Sequence, residues 1–162
     1  MSATMLQPGR ALRVIPSNNA IIPYPAVVTS GTSTSVVANQ LVASGANFIT
    51  ANVQPGDVVY NTTDSTAATV VSVTNATTLV LNADIFLAIT KAFTIYNGSN
   101  FSDGTGNPGC VLYVGGTGNL NVTTIGGDTV LFNTIAASSF FPVQVRQVLS
   151  TSTSATNIIA LW

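Results

Sequence analysis

Short runs of β-branched and aromatic residues, separated by turn residues, constrain the fold of this chain most. No segment repeats its apolar residues at the spacing of about 3.6 positions that an amphipathic helix requires. Val, Ile, Thr and aromatic residues favour strands, and turn signals at intervals of about 8–12 residues are typical of an all-β sandwich or barrel. We therefore predict an all-β protein built on a small antiparallel β-barrel or sandwich.

The predicted strands follow the apolar runs of the sequence. They are Ala11–Ile15, Ser35–Ala38, Val58–Asn61, Ala68–Thr74, Leu79–Leu81, Ala92–Tyr96, Val111–Val114, Leu120–Thr124, Thr129–Asn133, Val143–Val148 and Asn157–Trp162. In TVLFNTI, alternation puts Val130, Phe132 and Thr134 on one side. Val148 departs from the alternation of Val143 and Val145, which predicts a bulge near Gln147.

Glycine-rich stretches mark the predicted turns. Pro55-Gly56 fits a type II turn, which requires positive φ at its second central residue. Gly126-Gly127-Asp128 predicts a hairpin. The stretch from Gly115 to Asn119 predicts another hairpin, between VLYV and LNV.

The last strand carries apolar residues on both faces. Ile158, Ala160 and Trp162 are expected to face one side, and Ile159 and Leu161 the other. We predict that this strand completes the barrel, because closure removes an edge open to foreign strands. One face is then expected to meet the core, and the other a neighbouring subunit or domain.

Charged residues are scarce: they make up 6% of the chain, whereas about 25% is typical. With a net charge of −1 and four scattered cations, the chain is a poor match for nucleic acid. MSATMLQPGR lacks the apolar core of a secretory signal, and no apolar run is long enough for a membrane helix. The lone Cys110 is expected to be a buried apolar residue.

The sequence predicts neither catalysis nor a cofactor. There is no His or Glu, and we expect each Asp to hydrogen-bond its own backbone in a turn. One Cys cannot build a zinc site. SDGTGN places Asp103, Thr105 and Asn107 at the alternate positions of a calcium loop, but the bidentate acid is missing. We predict a loop without metal there, with a Ca²⁺ site as the alternative.

Five motifs near the two ends of the chain resemble the spike base proteins of gene transfer agents and tailed phages. They are Val14–Ser17, Leu112–Gly116, Gly127–Phe132, Phe141–Val148 and Ser152–Trp162. Between the first two motifs lies a long insert, whose segment GDVVYNTTD…SV…TTLVLNADIF is similar to another phage structural module. The resemblance implies a split barrel from residues 1–26 and 105–162, with a small β-domain and linker at 27–104 inserted into it.

The residues expected to bind a partner are Arg10, Arg13, Arg146, Phe140, Phe141 and Trp162. An arginine can pair bidentately with a partner's carboxylate, and the polar arm around Arg10 could order against a partner. Phe140 and Phe141, which precede Pro142, are core residues in the alternative interpretation. A solvated side chain is the alternative for each arginine.

The resemblance implies a virion structural protein, and two roles remain open. A cement or decoration protein would bind the major capsid protein on the outer surface of the head, as a homotrimer at threefold positions. The alternative is a head spike or fibre base, or a tail adhesion module, at vertices, although no fibre segment follows. A polysaccharide depolymerase is disfavoured because His and Glu are absent. Nothing in the sequence supports contact with a host glycan.

Overall fold

A computed structural model of the chain describes residues 8–98 and 108–162, and within them it contains strands and no helix. The predicted all-β fold is therefore confirmed. The strands are β1 (Ala11–Arg13), β2 (Val27–Thr32), β3 (Gln40–Val42), β4 (Val58–Asn61), β5 (Thr66–Asn75), β6 (Thr78–Leu81), β7 (Ala92–Tyr96), β8 (Cys110–Gly116), β9 (Gly118–Thr124), β10 (Thr129–Ile135), β11 (Ser139–Val148) and β12 (Thr156–Leu161).

The first sheet is antiparallel and has the strand order β1-β12-β8-β11-β9-β10. It curls into a half-barrel whose end strands, β1 and β10, share no ladder in the described part of the chain. The last strand therefore does not join the two ends as predicted. It lies inside the sheet between β1 and β8, where both of its edges are paired.

The concave face of this sheet forms a core. Leu12, Ala160, Leu112 and Phe141 face one another in register across β1, β12, β8 and β11. Ala160 and Leu112 are fully buried. Phe141 meets the ring of Phe132 edge-on at 4.7 Å between centroids. These contacts, with the other aliphatic residues of the cluster, bury one face of the sheet.

The second sheet is also antiparallel and has the order β2-β7-β4-β5-β6-β3. Its core centres on Phe93, whose ring lies 6.0 Å from that of Phe48 and 6.4 Å from that of Phe86. Gly31 is directly opposite Phe93, and a Cβ at Gly31 would stand 3.0 Å from the ring. Glycine is used in this strand because the aromatic ring fills the space a side chain would need.

Residues between β1 and β2 join the two sheets. Ala20 packs into a small apolar cluster with Val58 and Tyr60 of the second sheet. The Ser17 hydroxyl donates to the Ala67 carbonyl at 2.8 Å, and the Asn82 amide donates to the Asn19 carbonyl at 2.7 Å. All strands of the first sheet come from residues 11–13 and 110–161, and those of the second from 27–96. The division into two domains stays a prediction.

Two predictions about strand order and position are wrong. β8 and β9 do not form a hairpin, because β11 lies between them and pairs with both. Residues 35–38 form no strand: only Ser35 makes an isolated bridge, and Val36 and Val37 are exposed. Instead β2 and β3, which the apolar pattern did not reveal, flank this segment.

The type II turn, the hairpin at Gly126-Gly127-Asp128 and the bulge are confirmed. Asp57 N–H donates to the Gln54 carbonyl at 3.1 Å, and Gly56 has φ 96°, as a type II turn requires. The hairpin between β9 and β10 turns at Gly127, with φ 99°. The pairing of β11 with β9 shifts register between Val145 and Gln147.

Candidate interaction surface

The convex face of the first sheet brings together residues from four strands. Arg13 of β1 faces Ile159 of β12, which faces Tyr113 of β8, which in turn faces Phe140 of β11. Because directly opposed residues of an antiparallel pair share a face, these side chains form one row. The row runs from a cation at the sheet edge to an exposed aromatic ring.

A second apolar row lies beside the first, where Ala11 faces Leu161 and Leu161 faces Val111. Val111 also borders an open depression of about 620 Å³ with Phe140 and Pro142. We define the outer patch as the apolar residues of this face: Val111, Tyr113, Phe140, Pro142, Ile159 and Leu161.

Phe140 is an exposed aromatic residue of the outer patch. Its side chain is 72% exposed, and its only aromatic contact is an edge-on one with Tyr113 at 5.5 Å among the described residues. The interpretation of Phe140 as a core residue is therefore wrong. Phe141, with 6% exposure, is a core residue, because successive side chains of a strand point to opposite faces.

The two faces of β12 divide as the alternation predicts. Ile158 and Ala160 are buried in the concave core, and Trp162 packs against the same cluster. Ile159 and Leu161 lie half-buried on the convex side. The expectation that one face meets the core is confirmed, and the expectation that the other meets a neighbour stays a prediction.

Arg13 is exposed and makes no ion pair or side-chain hydrogen bond within residues 8–98 and 108–162. Arg146 is also exposed on β11, where the exposed positions Phe140, Pro142, Gln144 and Arg146 alternate with more buried ones. Both guanidinium groups are thus available to a carboxylate of a partner.

Arg10 and Trp162 lie together at one end of the sheet. The guanidinium of Arg10 stands 5.1 Å from the ring centroid of Tyr24 and donates to the Pro25 carbonyl at 3.2 Å. The Trp162 ring meets Tyr24 edge-on at 5.8 Å, and its backbone N–H donates to the Arg10 carbonyl at 3.0 Å. These contacts give Arg10 and Trp162 a structural role within the chain itself.

Asp57 and Asp64 both have hydrogen-bond partners within the chain. Asp57 is buried and accepts hydrogen bonds from the backbone N–H groups of Gln54 (2.9 Å) and Gly98 (3.3 Å), so its predicted turn role is confirmed. Burial raises the pKa of its carboxyl, and these two hydrogen bonds partly offset the rise. Asp64 differs from the prediction: it pairs with Lys91 at 2.8 Å, and the lysine lowers its pKa.

Other chemistry-bearing groups are sparse in the described part of the chain. Cys110 is buried and unpaired, as predicted, and burial raises the pKa of its thiol to about 12. No three His, Cys, Asp or Glu residues come together as metal ligands within residues 8–98 and 108–162. Asp103, Thr105 and Asn107, the calcium alternative, lie outside the described residues, as does the arm at 1–7.

The same ranges contain no helix of sufficient length and apolarity to cross a membrane. Comparison of the chain with models of protein families, with curated protein sequences and with solved structures gave no match. The account of function therefore depends on the geometry of this chain and on the motifs in its sequence.

Sequence reasoning missed the middle of the outer patch. Val111 and Tyr113 were predicted only as strand residues. For β12, the sequence predicted that one apolar face meets the core and the other a neighbour, but not that the second face is the one with Ile159 and Leu161. The signal that could have found them is the double-sided apolar pattern of both strands. What it cannot supply is the register that sets Tyr113 between Ile159 and Phe140.

Proposed function

We propose that this chain is a non-enzymatic structural protein of a tailed-phage particle, which binds the major capsid protein on the outer surface of the head and stabilises the shell. The observation that carries the proposal is the outer patch, an apolar surface on the convex face of a sheet whose concave face already has its own core. Contiguous exposed apolar surface on a folded protein marks an interaction site.

The composition of the outer patch suits a protein–protein contact. Interface cores are enriched in aromatic residues and depleted of charge, and they are rimmed by polar groups. Phe140 and Tyr113 supply the aromatic centre, and Arg13 and Arg146 supply cations at the margin. A large aromatic anchor that enters a pocket of the partner carries a disproportionate share of binding energy.

We propose the homotrimer as the binding form, on the shell surface of a particle assembled in the host cytoplasm. A capsid imposes its local symmetry on a protein that sits at a threefold position. Three copies joined together present three outer patches, so that contacts that are weak individually hold the trimer in place. Neither nucleic acid nor a membrane is a partner in this proposal.

A head spike or fibre base at vertices is the second candidate, and a specific observation favours it. The motifs that resemble spike bases fall on or beside the strands of the first sheet. The loops that connect the strands of the second sheet carry exposed apolar residues, among them Ile49 (63%), Leu87 (74%) and Ile89 (54%), to which another component could attach. Copy number distinguishes the two roles, because vertices are far fewer than capsid subunits.

The proposal is tested by adding the purified chain to heads assembled from the major capsid protein alone. We expect saturable co-sedimentation, a rise in the temperature at which the heads disrupt, and a trimer mass by native mass spectrometry. A chain that fails to co-sediment at saturating concentration would show that it does not decorate the shell. Binding as a monomer would contradict only the trimer.

A further inference from the structure

A small cleft opens where β1 meets the end of the second sheet. Leu12, Ile15 and the rings of Tyr60 and Tyr96 form its apolar walls, and Arg13, Thr62 and Ser65 contribute polar groups. Its volume is about 190 Å³. The two tyrosine rings, from β4 and β7, meet edge-on at 5.3 Å.

Tyr60 is the unusual member of this cleft. The residue is only 3% exposed, yet its hydroxyl has no hydrogen-bond partner of ordinary geometry among the described residues. Burial raises the pKa of this hydroxyl, and the nearby backbone of Ile15 partly offsets the rise without meeting the geometry of an ordinary hydrogen bond. A buried hydroxyl without a partner is costly, and such groups in native proteins call for an explanation.

Among the described residues, the lining of the cleft supplies hydrogen-bond donors and contains no carboxylate. Arg13 has no ion pair in the described part of the chain, and Ser65 makes no side-chain hydrogen bond there. The acid nearest in sequence, Asp64, is occupied by Lys91 and by the Asn61 amide. A ligand with an anionic oxygen would satisfy both the Tyr60 hydroxyl and the Arg13 guanidinium.

We propose that this cleft binds a carboxylate on a short aliphatic stem, with the carboxylate between Arg13 and Tyr60 and the stem against Leu12 and Ile15. A sugar fits less well, because the described lining of the cleft offers no carboxylate to accept hydrogen bonds from sugar hydroxyls. This inference rests on the proposed function, under which the carboxylate belongs to an acidic side chain of the capsid protein. Arg13 lies in both the cleft and the row that ends at Phe140, so the two contacts adjoin.

Glutarate is the probe for the cleft, titrated into the purified, isotope-labelled chain while the backbone amide signals of Ile15 and Ser65 are followed by NMR. We expect saturable shifts of both signals. Arg13→Gln and Tyr60→Phe should each weaken binding about tenfold or more, because hydrogen bonds to a charged group are strong. The matched controls Arg146→Gln and Tyr113→Phe change the same chemistry outside the cleft and should bind like the wild type.

A second readout separates a ligand-binding role of Tyr60 from a packing role. Because Tyr60→Phe removes only the unpartnered hydroxyl, the free variant should melt at the same temperature as the wild type or higher. A lower melting temperature would show that the hydroxyl is satisfied within the chain. No glutarate shifts, or equal shifts in all variants, would overturn the site.

Head binding then identifies the source of the carboxylate. Weaker co-sedimentation of Tyr60→Phe, by about fivefold or more, supports an acidic side chain of the capsid protein. Unchanged co-sedimentation together with glutarate binding overturns that source and leaves a free small acid as the ligand. If the wild type does not bind heads at all, the proposed function fails, and the glutarate titration still decides the cleft.

Discussion

The neighbours Phe140 and Phe141 allow a sharp test, because one residue step places the same ring on opposite faces of the first sheet. Phe140 is 72% exposed in the outer patch, whereas Phe141 is 6% exposed in the core. Each is replaced by alanine. If the outer patch binds the capsid shell, Phe140→Ala should lose binding and keep the fold, and Phe141→Ala should lose the fold itself.

The magnitudes follow from burial. A phenylalanine ring buries about 200 Å², so docking could remove roughly 140 Å² of the Phe140 side chain from water. At about 25 cal/mol per Å², the loss on truncation reaches about 3.5 kcal/mol, or several hundredfold in affinity, as an upper value. The free energy of unfolding should fall by only about 1–2 kcal/mol, from the small buried part and the contact with Tyr113.

Phe141→Ala instead leaves a cavity against Leu112 and Phe132, and we expect it to lower the free energy of unfolding by about 3–5 kcal/mol. Urea unfolding followed by circular dichroism measures stability, and co-sedimentation with heads measures affinity. Full head binding by a folded Phe140→Ala variant would refute the assignment of the outer patch. Equal destabilisation by both substitutions would refute the difference in burial.

Three further predictions concern the fold. Removal of Ala160–Trp162 takes away two of the three residue pairs between β12 and β1 and should leave the chain unfolded or aggregated; a soluble truncation with a cooperative urea transition would contradict this. Cys110, whose pKa is raised to about 12, should react with a thiol reagent only after unfolding, and rapid labelling of the native chain would show that it is accessible. Burial raises the pKa of the Asp57 carboxyl above 3.8 in the folded state. The stability that this shift contributes is therefore present below the pKa of the unfolded chain, and it is lost as the pH rises through the pKa of the folded chain. The urea midpoint of the wild type should therefore exceed that of Asp57→Asn by more at about pH 3.5 than at pH 7; a constant difference would contradict the shift.

Local patterns in the sequence predicted much of the fold. The bounds of β4 and β7 agree with the predicted strands, because VVYN and AFTIY are dense β-formers between clear turn signals. The type II turn at Gly56 depends on neighbours in sequence only. The side chains of β12 alternate between its two faces, and this alternation can be predicted from the sequence without knowledge of the partner strand.

The failures all involve long-range order. The glycines between β8 and β9 correctly predicted the end of one strand and the start of the next, but the hairpin that they predicted is wrong. β11, which begins about twenty-five residues further along the chain, lies between the two strands and pairs with both. β2 was missed because Ser30 and Gly31 dilute its apolar pattern, and Gly31 makes room for Phe93, a residue distant in sequence.

The interaction surface shows the same limit. Phe140 and Arg13 could be selected individually from the sequence, but pairing register places them in one row. Arg10 and Trp162 were predicted on equal grounds, and the structure shows both in contact with Tyr24; their binding to a partner stays a prediction. The cleft at Tyr60 could not be predicted, because its unpartnered hydroxyl exists only once the two sheets pack.

The copy number of this chain in purified particles tests the central claim most directly. It is measured against the major capsid protein by quantitative mass spectrometry of intact particles. A decoration protein should be present in numbers comparable to the capsid protein, since it occupies every equivalent position of the shell. A copy number at the level of vertices or tail would contradict decoration and favour a spike or fibre base, and absence from the particles would contradict a structural role in the virion altogether.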